Sequence, residues 1–289
     1  MRSMFIDTLV SNLQIHSNQG DTDIWLQIPV DGLEAPEYRT NIYERPGEDG
    51  GIVSSMFYAT RPVTLRGMIK GASPAIYEAN RQKFAAATAI QRDSSGYPVA
   101  KRIQFTTLAG NVYFFDAYFE RPIYAQENVN NTHFLLNMKV PNPQIFGATV
   151  VDSGAVARAS GGGFILPVIL PIVSTGQTGG SVLMVNAGNA NSYPILKLTG
   201  PLTNPFIQNT AVNKTMQLNY TIPAGSVVTI DMLNKTIMLN GTSSILSVKT
   251  SDSEWWGIVP GNNNINFATN TSADTGNLDI TFFNAYLGV

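Results

Sequence analysis

The sequence predicts a mainly β protein in two parts: an N-terminal β-sandwich-like sheet carrying one packed α-helix, then a C-terminal β-sandwich of jelly-roll type. Three observations predict it. Short apolar/polar alternations bounded by turn residues recur along the chain, as in strands with one wet face. Only one stretch combines a helix start, a helix-forming body and a stop. Charge is also divided unevenly: residues 1–150 hold 27 charged side chains and residues 151–289 only 11. The 289 residues amount to roughly two domains at ~150 residues each, and the small, polar run DSGAVARASGGG between the halves reads as a linker. The expected boundaries are 1–150, a linker at 151–162, and 163–289.

In the first half, strand-like runs occupy residues 24–28, 63–69, 103–107, 112–119 and 134–140. In the last of these, Leu136, Met138 and Val140 alternate with Asn137 and Lys139. The segment 108–111 (LAGN) joins two runs as a hairpin. The helix spans about 74–92: Ser73 is the N-cap, Pro74 takes the first helical position, where its missing N–H costs nothing, and Gly96 and Pro98 follow the end. Tyr77, Phe84, Ala87 and Ile90 lie roughly on one side. In the second half, Met216, Leu218, Tyr220 and Ile222 alternate with polar residues, as do Val228, Ile230 and Met232. Asp231 to Lys235 turns the chain towards Ile237 and Leu239. Ile265 and Phe267 follow a Pro260-Gly261-Asn262 turn, and Leu278, Ile280 and Phe282 form the closing strand. Strands at about ten-residue spacing indicate the sandwich.

Composition excludes several kinds of chemistry. There is no cysteine, so disulfide scaffolds, thiolate metal sites and cysteine nucleophiles are absent. A net charge of −2 offers no basic stripe for nucleic acid. The two histidines, His16 and His133, are far apart in sequence, which argues against a histidine-rich metal site. The opening residues lack the apolar run of a signal peptide. The longest apolar stretch, GFILPVILPIV at 163–173, is half a membrane span and is broken by Pro167 and Pro171. A soluble protein made in a reducing cytoplasm is expected, without membrane insertion.

Few side chains suggest a site. Asp231 has no acidic neighbour closer in sequence than Asp252 and Glu254, and reads as an Asx-type turn cap. Trp255 and Trp256 would serve as a glycan platform, although alternation along a strand turns one of the pair inward. His133 sits at a loop-to-strand junction, and Gly161, Gly162 and Gly163 lack the helix and Lys-Ser/Thr of a phosphate cradle. No catalytic, cofactor or metal constellation emerges. The loop at about 44–55 (ERPGEDGGIVSS) is more informative. Ordering twelve backbones costs on the order of 12–24 kcal/mol, so a lone domain leaves it mobile or a second subunit orders it as an arm. Glu44, Arg45, Pro46, Gly47, Glu48, Asp49, Gly50, Gly51 and Ile52 form this candidate inter-subunit arm.

The order of short words along the chain resembles the distal tail proteins of siphophages, also described as siphovirus-type tail components. In the first half the words are residues 30–36 (VDGLEAP), 47–53 (GEDGGIV), 61–67 (RPVTLRG) and 140–146 (VPNPQIF). In the second they are 185–189 (VNAGN), 192–195 (SYPI), 198–201 (LTGP), Ile230-Asp231, 256–263 (WGIVPGNN) and 285–289 (AYLGV). The resemblance implies a homo-hexameric ring at the distal end of the tail tube. In such a ring the N-terminal domains surround the channel for DNA, and galectin-like C-terminal domains project outward and carry receptor-binding machinery. It also implies a virion location and a hub for tail-tip or baseplate assembly, with the tail-tube protein above, tail-tip or receptor-binding proteins below, and DNA as cargo only. No enzyme activity and no cofactor are implied. Such a ring is closed by heterologous interfaces, each expected to bury upward of ~2,000 Å². Two other readings stand beside it: a carbohydrate-binding module in host-surface adsorption using Trp255 or Trp256, and a hydrolase whose carboxylates converge only in the fold. The strand from Leu278 onward is assigned to either domain.

Overall fold

A computed structural model of the chain describes residues 4–7, 12–15, 24–157, 180–271 and 273–289. His16, the glycines at 161–163 and the proline-broken run 163–173 lie outside the described residues. The fold is mostly β, built of antiparallel sheets, with one α-helix among the described residues. It divides into two compact units: Met1–Ala148 together with Tyr286–Val289, and Thr149–Ala285.

The first unit contains β1 (Met4–Asp7), β2 (Asn12–Ile15), β3 (Ile24–Asp31), β4 (Tyr38–Glu44), β5 (Gly51–Tyr58), β6 (Arg61–Lys70), α1 (Pro74–Thr88), β7 (Lys101–Thr106), β8 (Val112–Phe119), β9 (Ile123–Asn128), β10 (Asn131–Val140) and the start of β11 (Ile145–Asp152). One sheet runs β3–β6–β10–β9 and another β2–β1–β7–β8–β11, and the end of β8 joins them by pairing with β10. The period of two is plain in β6 and β10. Val63, Leu65 and Ile69 on one, and Phe134, Leu136, Met138 and Val140 on the other, all enter the core. Phe84 of α1 meets Phe134 there with ring centroids 4.5 Å apart. Gly67 is opposite Phe134, and a Cβ on it would lie 2.3 Å from the Trp25 carbonyl oxygen and 2.6 Å from the Phe134 ring.

The helix starts as its sequence predicts, with the Ser73 hydroxyl accepting from the Ile76 N–H at 3.3 Å. It ends earlier, at Thr88. Ala89 is already extended, with ψ 145°, and the Lys101 ammonium donates to the Ala87 carbonyl at 2.6 Å. A cation there satisfies an orphan carbonyl and opposes the negative end of the helix dipole. Ile90 therefore leaves the apolar side of the helix and is 69% exposed.

The second unit contains the end of β11, then β12 (Val156–Ala157), β13 (Ser181–Asn186), β14 (Ile195–Thr199), β15 (Leu202–Thr203), β16 (Phe206–Asn209), β17 (Lys214–Gln217), β18 (Thr221–Ile222), β19 (Val227–Asp231), β20 (Thr236–Leu239), β21 (Ser243–Ser244), β22 (Gly261–Ala268) and β23 (Asn277–Tyr286). The sheet β12–β23–β14–β19–β20–β21 and the sheet β13–β22–β16–β17 share one core, with Leu196, Val228, Ile230 and Ile280 on the first and Ile207, Met216, Ile265 and Phe267 on the second. The stretch expected as a linker differs in its described part. Residues 151–152 continue β11, Val156 pairs with Leu278, and the Ser153 hydroxyl accepts from Ile280 N–H at 2.9 Å.

Buried asparagines explain two of the sequence words. In VNAGN, Asn186 donates to the carbonyls of Ala190 (2.8 Å) and Ile258 (3.2 Å), and its own oxygen accepts from Gly188 N–H (3.0 Å). Gly188 is required because a Cβ would fall 1.9 Å from the Ala285 carbonyl oxygen. In WGIVPGNN, Asn263 folds its own segment into a turn. Its amide donates to Val259 (2.8 Å) and Gly261 (3.1 Å), while its oxygen accepts from Val259 N–H (3.0 Å) and from the Asn209 amide (3.2 Å). Side-chain amides thus take over backbone pairing where the strands cannot.

Candidate assembly arm

Residues 38–58 form a β-hairpin apart from both sheets of the first unit: β4 and β5 pair with each other only. Both strands are rich in aromatic and β-branched residues, and Gly47 (φ +79°) and Gly50 (φ +91°) supply the left-handed backbone of the tip. Arg45 N–H donates to the Gly50 carbonyl at 3.1 Å, closing that turn. A bulge interrupts the ladder at Ser54, whose hydroxyl donates to the Asn41 carbonyl at 3.3 Å. Of the residues singled out by composition, Glu44 ends one strand, Arg45 to Gly50 make the tip, and Gly51 and Ile52 begin the return strand. The segment is therefore an ordered hairpin and longer than the loop its glycines suggest.

Its surface sets it apart. Opposed residues on paired strands share a face. One face carries Tyr38 with Tyr58, Thr40 with Met56, and Ile42 with Val53; the other carries Arg39 with Phe57, Asn41 with Ser55, and Tyr43 with Ile52. Apolar groups thus occupy both faces, and seven of them are 54–60% exposed. Hairpins of two strands are marginal in water on their own, and an uncovered apolar patch of this kind marks an interaction surface.

The root of the arm is held by one side chain. Arg61, 1% exposed, follows the return strand and donates to four backbone carbonyls. Nε reaches Pro143 at 2.8 Å, Nη1 reaches Gly32 at 2.8 Å and also Glu34, and Nη2 reaches Pro143 and Leu287 at 2.6 Å each. Burial lowers the Arg61 pKa from its usual value, and the Glu34 carboxylate opposes that shift. Gly32 and Glu34 precede the hairpin and Arg61 follows it, so the guanidinium ties its two ends together. Ala59 N–H, donating to Glu37 at 2.8 Å, adds a second tie. Four of the sequence words, 30–36, 61–67, 140–146 and 285–289, meet at this one group.

The other candidates are placed elsewhere. Trp256 is 2% exposed in the core of the second unit, and Trp255 packs partly buried on the same core. A buried indole cannot stack on a sugar, so Trp256 offers no platform, and Trp255 keeps only part of its surface free. Asp231 caps its turn, accepting from Leu233 and Asn234 N–H at 2.9 and 2.8 Å. His133 lies within β10, opposite Met68 of β6 and Ala125 of β9. Among the described residues no group of three or more His, Asp or Glu could hold a metal ion, and no helix is long and apolar enough to cross a membrane. One pair of carboxylates does come together. Asp279 lies beside Asp152, and its pKa is raised, first by burial, then by hydrogen bonding with and the charge of that carboxyl group, against the pull of Lys197.

Residues 187–286 match a sequence family described as siphovirus-type tail component, C-terminal domain. That match spans most of the second unit. Its VNAGN and WGIVPGNN words, held by Asn186 and Asn263, lie at or within that match. The likeness of fold extends further than this domain. The crystal structure of phage SPP1 Dit (gp 19.1), described as a paradigm of the hub adsorption apparatus in phages infecting Gram-positive hosts, superposes with a TM-score of 0.66 at 13% identity over 99% of both chains. A chain of the phage P2 baseplate in its activated conformation with Ca superposes at 0.51 and 9% identity, over 97% of this chain and 98% of that one. At such identities the likeness is one of fold. No curated protein matches in sequence.

Proposed function

We propose that this chain is a structural hub of a siphophage tail: a homo-hexameric ring at the distal end of the tail tube, to which tail-tip or baseplate proteins attach and through which DNA passes. The observation that carries the reading is the hairpin at 38–58, whose two apolar faces have no cover within their own unit, on a chain sharing its fold end to end with SPP1 Dit. A closed ring needs a heterologous contact in which one surface fits a different one on the next copy, and a projecting arm provides half of such a contact. The tail-component domain points to the same place in a virion. A net charge of −2 suits a channel that lets a polyanion pass without retaining it. The reading assigns no reaction, cofactor or sugar site. The test is the mass of the purified chain by light scattering, with negative-stain imaging. Rings of about six copies are expected, and a stable single-chain mass at micromolar concentration would overturn the hub.

A further inference from the structure

The hub reading leaves open where the arm goes, and the first unit holds a surface suited to receive it. Beside the end of α1 lies an open groove of about 600 Å³, lined largely by apolar groups including Ala85, Ile90, Phe119, Pro122 and Ile123. A smaller hollow of about 200 Å³ continues it on the other side of Thr88–Ile90, towards Pro98 and Val99. Ile90 and Ile123 are 69% and 55% exposed at its rim. Ile90 is the residue that helical periodicity assigns to the core, and the early stop of the helix at Thr88 turns it outward. An apolar surface thus stands open on the same unit as an uncovered apolar arm.

We infer that the groove beside the end of α1 receives the 38–58 hairpin of a second copy of this chain. This rests on the hub reading and names the docking surface within it. Area favours a partner of this kind. On the face that carries Ile52, Tyr43 and Phe57, at ~150–250 Å² each and more than half exposed, bring on the order of 200 Å² to a contact, a part of the ~800 Å² per partner that stable complexes bury. Charge agrees. At the tip Arg45 lies 3.8 Å from Glu48, which leaves Glu44 and Asp49 as a surplus of negative charge. The groove carries Arg121 on its lining beside Glu120, whose charge Lys139 balances at 3.1 Å, and Arg81 stacks 5.2 Å from the centroid of Tyr124, another lining residue. The contact joins unlike surfaces, as a ring requires.

The absence of cysteine makes disulfide trapping clean. The full-length double variant Ile52→Cys/Ile123→Cys, and Ile52→Cys/Ile90→Cys beside it, are assembled and oxidised. Their mass before oxidation reports on the ring, and non-reducing electrophoresis reports on the contact. Replacements at exposed positions leave the core residues in place, and the melting curve confirms folding. A ladder of linked chains up to the ring size, absent from either single variant and collapsed by reductant, is expected. Mixing chains with Ile52→Cys alone and chains with Ile123→Cys alone gives linked dimers. In a second measurement, Ile90→Asp/Ile123→Asp weakens assembly at least tenfold with unchanged melting. Rings of normal mass that give no arm-to-groove link, or that survive the aspartates, would overturn the docking surface and leave the hub standing. Chains that stay single before oxidation would instead overturn the hub reading beneath it.

Discussion

Backbone carbonyls perform for Arg61 the task that carboxylates usually perform for a buried arginine: its donors are satisfied by Gly32, Glu34, Pro143 and Leu287. Removing the guanidinium would strand buried acceptors, each costing about 1–3 kcal/mol. Arg61→Met is therefore expected to lower the stability of the first unit by about 3 kcal/mol or more in urea titration. Arg61→Lys recovers only part of this, because three ammonium donors cannot reproduce the fork. Asp279 gives a prediction with a definite sign. Its folded pKa is raised, so its stabilising share is present below the ordinary carboxylate pKa of ~3.9 and fades as pH climbs through the raised value. Asp279→Asn should melt higher than the parent at pH 7, with the gap closing as pH falls below about 4. Neither group could be read from sequence. Arg61 resembled any strand-start arginine, and its partners are backbone atoms from four separate segments. Asp231, by contrast, was legible as a turn cap, because its partners are only two and three residues away.

At the scale of elements, period and turn chemistry reveal those strands that have one wet face. Strands β6, β8, β10, β19 and β23 fall where alternation places them, and Ser73-Pro74 marks the helix start. The hairpin was only half visible. Apolar residues on both of its faces destroy the alternation that marks a strand, and the glycines of its tip read as a loop. Sequence places the helix end too late because its cap is a lysine ammonium thirteen residues beyond Thr88 rather than a local Gly or Pro. Gly67 tests how tightly β3, β6 and β10 are packed. The atoms a Cβ would meet include the Trp25 backbone, which cannot swing aside. Gly67→Ala is thus expected to cost several kcal/mol, beyond the ~1–3 of ordinary overpacking. Gly96→Ala, at φ +85° in open space, should cost only about 1–2 kcal/mol. Thermal melts of the two variants would separate packing from backbone strain, and similar losses would show that the core relaxes around the new methyl.

For the whole molecule, the chain leaves the first unit near Ala148, builds the second, and comes back with Tyr286–Val289. The returning residues are well used: Tyr286 packs edge-on against Tyr113 at 5.2 Å, Leu287 accepts from Arg61, and Val289 N–H donates to the Leu33 carbonyl at 3.2 Å. Deleting residues 286–289 should weaken the first unit far more than the second, although the cut is adjacent in sequence to the second. Hydrogen exchange resolved along the chain would show faster exchange over 30–36 and 61–67, with the core of the second unit little changed. Equal loosening of both units would contradict it.

This return gives the fold an order in time. On the ribosome, the hairpin and Arg61 emerge early, but one of the four carbonyls that grip the guanidinium is made only after the entire second unit has been synthesised. Until then the arm hangs from an incomplete hinge, so a nascent chain offers its neighbours a poorly aimed hook. Assembly would thus be reserved for copies whose second unit is already in place.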